Sequence, residues 1–132
     1  MNKVILIGRL TAKPELKYTQ NGKAIATFSV ACNRMKKQDG TQETDFINCR
    51  VWEKQAENLV KYQDKGNLIL VDGSLRHEKY IDENENKKNV TYVMAKNIEY
   101  LESKNKNNNS PSNGMNAYNN TQLEINVDNF LE

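Results

Sequence analysis

Histidine and cysteine are scarce in this 132-residue sequence, which contains one histidine, His77, and two cysteines, Cys32 and Cys49. Protein zinc sites usually need four Cys, His or carboxylate ligands, so the sequence predicts no metal site and no cofactor. Both cysteines fall on apolar strand faces, which favours two small buried side chains in a reducing compartment. Because no Ser-His-Asp or paired-carboxylate arrangement is visible either, we expect that the protein is not an enzyme.

Long apolar runs are also missing. No run approaches the ~20 residues that a membrane span needs, and the start, MNKVILIGRL, lacks the cleavage-site pattern of a signal peptide. We therefore expect a soluble cytoplasmic protein without a membrane partner. A chain of this length is enough for one compact domain and short for two, which predicts a single core.

Basic residues are absent from the last part of the chain. The formal net charge is +2, yet all 19 Lys and Arg lie within residues 1–106, and residues 107–132 carry only Glu124, Asp128 and Glu132 as charged residues. The stretch KNKNNNSPSNGMNAYNNTQ offers too little apolar surface to offset the entropy lost on folding. We predict a folded domain over residues 1–104 and a flexible, disordered linker with a weakly acidic tail over residues 105–132.

Apolar alternation and turn residues predict five strands and one short helix. The strands are expected at residues 3–10, 24–34, 45–52, 67–79 and 90–101, and the helix is expected within residues 54–66, capped by Gly66. The segment between the first two strands, with Pro14 and Asn21-Gly22, is typical of turns. Three strands, a helix and two strands are the order of an OB-fold, so we predict an all-β protein, a five-stranded Greek-key β-barrel with one short helix.

The third strand, DFINCRVW, is apolar on both faces. Alternation puts Ile47, Cys49 and Val51 on one face, which is an ordinary core face. The opposite face carries Phe46, Asn48, Arg50 and Trp52. Because the middle strands of OB-folds carry single-stranded nucleic acid, Phe46 and Trp52 are candidates for stacking on bases, and Arg50 is a candidate for contacting a phosphate or stacking on a base.

The fourth strand repeats this arrangement. Asp72, Ser74, Arg76, Glu78 and Tyr80 share one face, which brings Arg76 and Tyr80 together. The neighbouring loops carry lysines that could grip a bound strand: Lys36, Lys37, Lys87 and Lys88. An apolar outer face is equally compatible with packing or a subunit interface, and the acids beside it argue against a simple basic groove.

Most of residues 1–102 falls in three stretches: MNKVILIGRLTAKPELKYTQNGKAIATFSVACNR, TDFINCRVWEKQAENLVKYQDKGNLILVDGSLR and VTYVMAKNIEYLE. These stretches contain five motifs in a fixed order: GRL, PELKYT, NGKA, a DFIN-type strand and a KQAENL-type helix. With these motifs the chain resembles the single-stranded DNA-binding proteins of bacteria and their phages. The resemblance implies sequence-tolerant binding and protection of single-stranded DNA in replication, recombination and repair. It also implies a homotetramer, formed partly through the first strand.

The resemblance assigns roles to individual residues. Phe46, Trp52 and Tyr80 match base-stacking positions, with Arg50, Arg76 and Lys79 beside them, and Lys3, Arg9 and Arg34 match basic positions in the DNA path. One departure is Met35-Lys36, which follows the Asn-Arg of strand two where relatives usually have an aromatic residue.

The tail departs further from the resemblance. Relatives end in several acids, proline and a terminal phenylalanine that docks into replication and repair proteins. This chain ends INVDNFLE, in which Asp128 and Phe130 echo the pattern without the proline. We expect altered partner recruitment through these two residues, as in a phage- or plasmid-borne copy. An RNA-binding OB protein and an OB-fold protein-interaction module remain the alternatives.

Overall fold

A computed structural model describes residues 1–103 of the chain. Its elements are β1 (Val4–Leu10), β2 (Glu15–Tyr18), β3 (Ala24–Asn33), β4 (Thr44–Trp52), α1 (Glu53–Tyr62), β5 (Leu68–Ile81) and β6 (Lys87–Tyr100). The five predicted strands and the helix appear in the predicted order. The predicted linker and tail, with Asp128 and Phe130, lie outside the described residues.

Five strands close into a barrel in the order β1-β5-β6-β4-β3, because β1 pairs with β3 as well as with β5. The closing pairs are Arg9 with Ala31 and Leu10 with Val30. The pairing of β4 with β6 is parallel, and the pairing of β5 with β6 is antiparallel. This arrangement confirms the predicted OB-type barrel.

Two glycines permit the closure and the bending of the barrel. A Cβ at Gly8 would meet the backbone carbonyl oxygen of Ala31, so only glycine lets β1 approach β3 this closely. A Cβ at Gly73 would meet the backbone carbonyl of Met94. Gly73 lies at the irregularity in the pairing of β5 with β6, where β5 leaves the barrel and continues as a hairpin with β6.

The core lies inside the barrel and under the helix. Alternate residues of β3, namely Ala26, Phe28 and Val30, point inward and are buried. Ala56 and Leu59 of α1 are buried in the same apolar cluster, so the helix covers one opening of the barrel. Burial of one face per element is what drives strands and helix together.

The segment predicted as turns contains a short strand, β2, which is a correction. β2 pairs with the first half of β3, and Leu16 packs against the core. The Asn21-Gly22 turn does form the expected hairpin, with φ of 81° at Gly22 and a hydrogen bond from its backbone N–H to the Thr19 carbonyl. Only four residues pair, so the alternation is too short to be recognised in the sequence.

Three element boundaries also differ from the prediction by more than one residue. The helix ends at Tyr62, because Gln63 is extended, and Gly66 instead forms a later turn with φ of 89° and donates to the Leu10 carbonyl. β5 continues to Ile81 and β6 begins at Lys87, since these polar segments pair with each other beyond the barrel. Both faces of this extension are mostly exposed, so no apolar alternation marks it in the sequence.

Candidate nucleic-acid interface

The two faces of β4 differ sharply in exposure. Cys49 and Val51 on the inner face are each 1% exposed, whereas Phe46 and Trp52 on the outer face are 67% and 37% exposed. Ile47, half-buried, packs against the core with the inner residues. Large aromatic rings left on the surface are candidates for contact with a partner.

The backbone at the end of β4 sets the direction in which the Trp52 side chain points. Trp52 is extended, with φ −105° and ψ 155°, and α1 begins at the next residue. Glu53 has φ of 61°, in the left-handed region, which turns the chain abruptly into the helix. The sharp turn lets Trp52 keep the side-chain direction of the strand instead of joining the helix.

Strand register extends the outer face of β4 across the sheet. On one side Arg50 lies opposite Thr27 of β3, and on the other side it lies beside Met94 of β6. Across β6, Ser74, Arg76, Glu78 and Tyr80 of β5 face Met94, Tyr92, Val90 and Lys88 in turn. The outward residues of β3, β4, β6 and β5 therefore form one continuous surface, called here the outer sheet face.

The predicted site residues of β4 and β5 meet on this surface. Phe46, Asn48, Arg50 and Trp52 come from β4, and Arg76 and Tyr80 come from β5. Tyr80 is 50% exposed, so three exposed aromatic rings share the face with two arginines. β6 lies between β4 and β5 and connects the two groups of residues that the sequence had predicted separately. The sequence predicted no functional face for β6 itself.

A buried tyrosine lies beneath Arg50. Tyr92 is 4% exposed, and the guanidinium carbon of Arg50 lies over its ring, 4.0 Å from the ring centre. The Tyr92 hydroxyl donates a hydrogen bond of 2.7 Å to Glu78 Oε1. Burial, followed by this bond and the Glu78 charge, raises the pKa of Tyr92, while Arg50 and Arg76 lower it.

The cations of the loop between β3 and β4 are largely paired with acids. Arg34 Nη2 lies 2.9 Å from Asp45 Oδ1, and Arg34 Nη1 lies 2.8 Å from Glu43 Oε2. The hydrogen bond from Arg34 lowers the pKa of Asp45. Lys37 also pairs with Glu43, at 3.2 Å. Among the ion pairs of residues 1–103, none includes Lys36, which leaves this lysine as the loop's cation without a carboxylate partner.

The two predicted cations of the first strand region are both paired with acids. Arg9 donates to the Gly66 carbonyl oxygen and pairs with Glu102 at 2.9 Å, which ties the end of β6 to the turn after α1. Lys3 pairs with Asp72 at 3.1 Å. The structure does not bring Arg9 together with the aromatic residues of the outer sheet face.

The remaining predicted lysines lie on opposite faces of the hairpin that β5 and β6 form. Lys88 pairs across from Tyr80 on the outer sheet face and lies 3.7 Å from Asp82. Lys79 and Lys87 alternate with those residues and lie on the opposite face of the hairpin. They line a cavity of about 460 Å³ together with Tyr80 and Ile81 at the hairpin end.

Sequence reasoning missed two parts of this surface. Tyr92 was not singled out, although Val90, Tyr92 and Met94 alternate with Val93 and Ala95, so β6 has the same two-sided apolar pattern as β4. Lys17 was missed because β2 was. It pairs with Ile25, which in turn pairs with Trp52, so Lys17 adds a cation to the same face, two strands away from the tryptophan.

Between residues 1 and 103, no three His, Cys, Asp or Glu side chains are grouped so as to hold a metal ion. In the same range no helix is long and apolar enough to cross a membrane.

Comparison with known proteins gives a consistent result. The family model described as "Single-strand binding protein family" matches residues 1–101. The chain is 49% identical over 106 residues to the "Single-stranded DNA-binding protein" of Bacillus cereus, covering 80% of this chain and 62% of that protein. It is 47% identical over 106 residues to "Single-stranded DNA-binding protein A" of Bacillus subtilis, with the same coverage.

A third relative is matched over more of its length. The chain is 43% identical over 130 residues to "Single-stranded DNA-binding protein 3" of Listeria innocua, covering 98% of this chain and 78% of that protein. The chain thus spans about three fifths of the length of the two Bacillus relatives and nearly four fifths of the Listeria one.

Proposed function

This chain belongs to the single-strand binding protein family, and we propose that it binds single-stranded DNA without strong sequence preference. The observation that carries the proposal is the grouping of Phe46, Trp52 and Tyr80 as exposed rings on one continuous sheet face. Every base has a flat face that can stack on such rings, so stacking tolerates any sequence. Binding of this kind protects single strands from re-pairing and from nucleases without any bond being made or broken.

Phosphate neutralisation supplies the second part of the affinity in this proposal. Lysine and arginine side chains that approach phosphates release condensed counterions. Lys17, Lys36 and Arg76 are not in the ion pairs found within residues 1–103, so they can meet phosphates without first leaving a carboxylate. Arg34, Lys37 and Lys88 must exchange an acid for a phosphate, and we assign them a smaller share.

The proposed assembly is a homotetramer. Ile5 and Ile7 on the outer side of β1 are both exposed, although this strand is otherwise part of the core. Neighbouring exposed isoleucines favour contact with a second copy of the chain. Measuring the mass of the particle by light scattering tests this, and a monomer at micromolar concentration would contradict it.

The proposed cellular role is protection of single strands in DNA replication, recombination and repair, in the cytoplasm. We further propose that Asp128 and Phe130 recruit partner proteins, because an acid and an aromatic residue that follow an Asn-rich stretch are of the residue types that short recognition motifs use. Capture of a replication or repair protein by the full chain, but not by the Phe130→Ala variant, tests this part.

A competition experiment tests the central proposal. Labelled oligothymidine should bind and should be displaced by unlabelled single-stranded DNA of any sequence, but poorly by duplex DNA. Displacement by matched RNA with equal efficiency would instead support an RNA-binding protein, since stacking alone does not distinguish the sugars. If neither nucleic acid binds, the result would instead support the outer sheet face as a protein interface.

A further inference from the structure

Arg50 occupies an unusual position for a cation that contacts phosphate. We propose that its guanidinium is an additional base-stacking platform, held in place by the ring of Tyr92, on which one nucleobase lies between Phe46 and Trp52. The inference rests on the proposed binding of single-stranded DNA, and it assigns Tyr92 as the positioning residue of the platform. It also decides between the two roles that the sequence left open for Arg50.

Tyr92 provides a rigid support. Its ring is 4% exposed, yet Tyr92 is not among the residues of the apolar core cluster, so its burial comes from neighbours on the outer sheet face. The 2.7 Å hydrogen bond to Glu78 restricts rotation of the ring from its far end. The Arg50 guanidinium carbon, 4.0 Å from the ring centre, is at the distance expected for a stacked cation–π pair.

The space over Arg50 is open and suited to a base. Arg50 and Tyr92 line a groove of about 310 Å³ together with Thr27, Ser29 and Asn48. Residue 50 lies two positions from Trp52 and four from Phe46, which is about 7 Å and 13 Å at roughly 3.3 Å per strand residue. A third flat surface there supports a base in the gap between the two aromatic rings, with hydroxyl and amide groups at its edge.

The charges around Arg50 nearly cancel one another. Glu15 and Lys13 line the same groove. Glu78 and Arg76 both act on Tyr92, and they shift its pKa in opposite directions. Because each carboxylate is offset by a cation, a phosphate over Arg50 gains little from these neighbours. A nucleobase carries no net charge, so its stacking on the flat guanidinium does not depend on this balance.

Comparison of Arg50→Lys with the unchanged protein tests the platform, because lysine keeps the charge but has no flat face. The probes are oligothymidine and an abasic oligomer of the same length, which has the phosphates without the bases. We expect Arg50→Lys to bind oligothymidine about tenfold more weakly, as when a stack is lost, and to bind the abasic oligomer unchanged. The salt dependence should also be unchanged.

Two controls make the outcome decisive. Lys36→Ala should weaken binding to both oligomers and make the salt dependence shallower by about 0.7, as expected for a phosphate contact. Tyr92→Phe keeps the ring and loses only the bond to Glu78, so it should weaken oligothymidine binding about threefold and leave abasic binding unchanged. This conservative variant keeps the test usable if Arg50→Lys is poorly folded.

Three results would overturn the platform. If Arg50→Lys binds oligothymidine as tightly as the unchanged protein while Arg50→Ala weakens both oligomers, Arg50 contacts a phosphate, and the proposed function stands. If Tyr92→Leu, which removes the ring beneath Arg50, leaves oligothymidine binding unchanged, Tyr92 does not position Arg50. If the unchanged protein fails to bind oligothymidine at all, the proposed function fails together with the platform.

Discussion

The inner and outer faces of β4 both carry apolar side chains, but in different surroundings. Val51 points into a closed barrel and is 1% exposed, while its neighbour Trp52 points outward and is 37% exposed. The inner face meets residues of β3 and α1 in one apolar cluster. The outer face meets Thr27 and Ser29 of β3 and Val90 and Tyr92 of β6 in a shallow groove.

The difference shows that hydrophobicity alone does not distinguish a core face from a binding face. An inner residue stabilises the fold by leaving water, so its value is measured in the free energy of unfolding. An outer aromatic residue stays partly in water and becomes fully covered only when a partner binds. Substitutions on the two faces should therefore affect different measurements, and the predictions below test this separation.

Val51→Ala should have the largest effect, and it should be on stability. Loss of two methyl groups from a fully buried site should lower the free energy of unfolding by about 2–3 kcal/mol. Denaturant titration measures this value, and DNA affinity under folding conditions should change less than twofold. A large loss of affinity without a loss of stability would mean that the two faces of β4 are coupled.

Trp52→Ala and Phe46→Ala should show the reverse pattern. Each should weaken binding to oligothymidine by about 1–3 kcal/mol, the value of one base stack, with the unfolding free energy nearly unchanged. Trp52 is the only tryptophan, so its fluorescence in the unchanged protein should be quenched by single strands and hardly by duplex DNA. If either variant unfolds or dissociates, that ring packs against protein instead.

Cys49 should make stability fall at high pH. Burial, with a smaller contribution from Cys32, raises the pKa of the Cys49 thiol from 9.0 to about 12. The folded state thus favours the protonated thiol, and its contribution to stability is complete below pH 9 and is lost as the pH rises from 9 towards 12. At pH 10 the loss should be roughly 1–2 kcal/mol.

Cys49→Ala is the matched control for that measurement. Its unfolding free energy should be lower at neutral pH but should decline less between pH 8 and 10 than that of the unchanged protein. The difference between the two curves isolates Cys49 from Tyr92 and Tyr100, whose pKa values are also raised. Parallel curves for the two proteins would show that Cys49 does not titrate in this way.

The smallest expected effect concerns paired and unpaired cations beside the outer face. Lys36→Ala should make the plot of log binding constant against log salt shallower by about 0.7, because one phosphate contact is lost. Arg34→Ala should change this slope less, since its guanidinium already neutralises Asp45 and Glu43. Equal changes in slope would mean that DNA displaces these acids from Arg34.

Much of the fold was predictable because local patterns encode it. Ala26, Phe28 and Val30 alternate in the sequence and point into the core in the structure. β2 and the outer half of the hairpin could not be predicted, since neither has enough apolar alternation. Their strands exist because β3 and β6 offer backbone hydrogen-bonding partners, which is information held by residues distant in the chain.

The candidate site was predicted in pieces. Phe46, Arg50 and Trp52 were recognised on one strand, and Arg76 and Tyr80 on another, by the period of two. That Lys79 lies on the opposite face of the hairpin follows from the same period of two. That Arg9 is tied to Glu102 follows from the path of the chain end, which sequence spacing does not contain.

By itself, the sequence determined the order of five strands and one short helix along the chain and the two-faced character of β4. These features depend on side-chain type at neighbouring positions. Only the tertiary structure decided which surface the outer face of β4 joins. Parallel pairing of β4 with β6 brings Tyr92 beneath Arg50, although 42 positions separate them in the chain. Barrel closure makes that contact, since the partners of a strand are set by how the whole sheet curves.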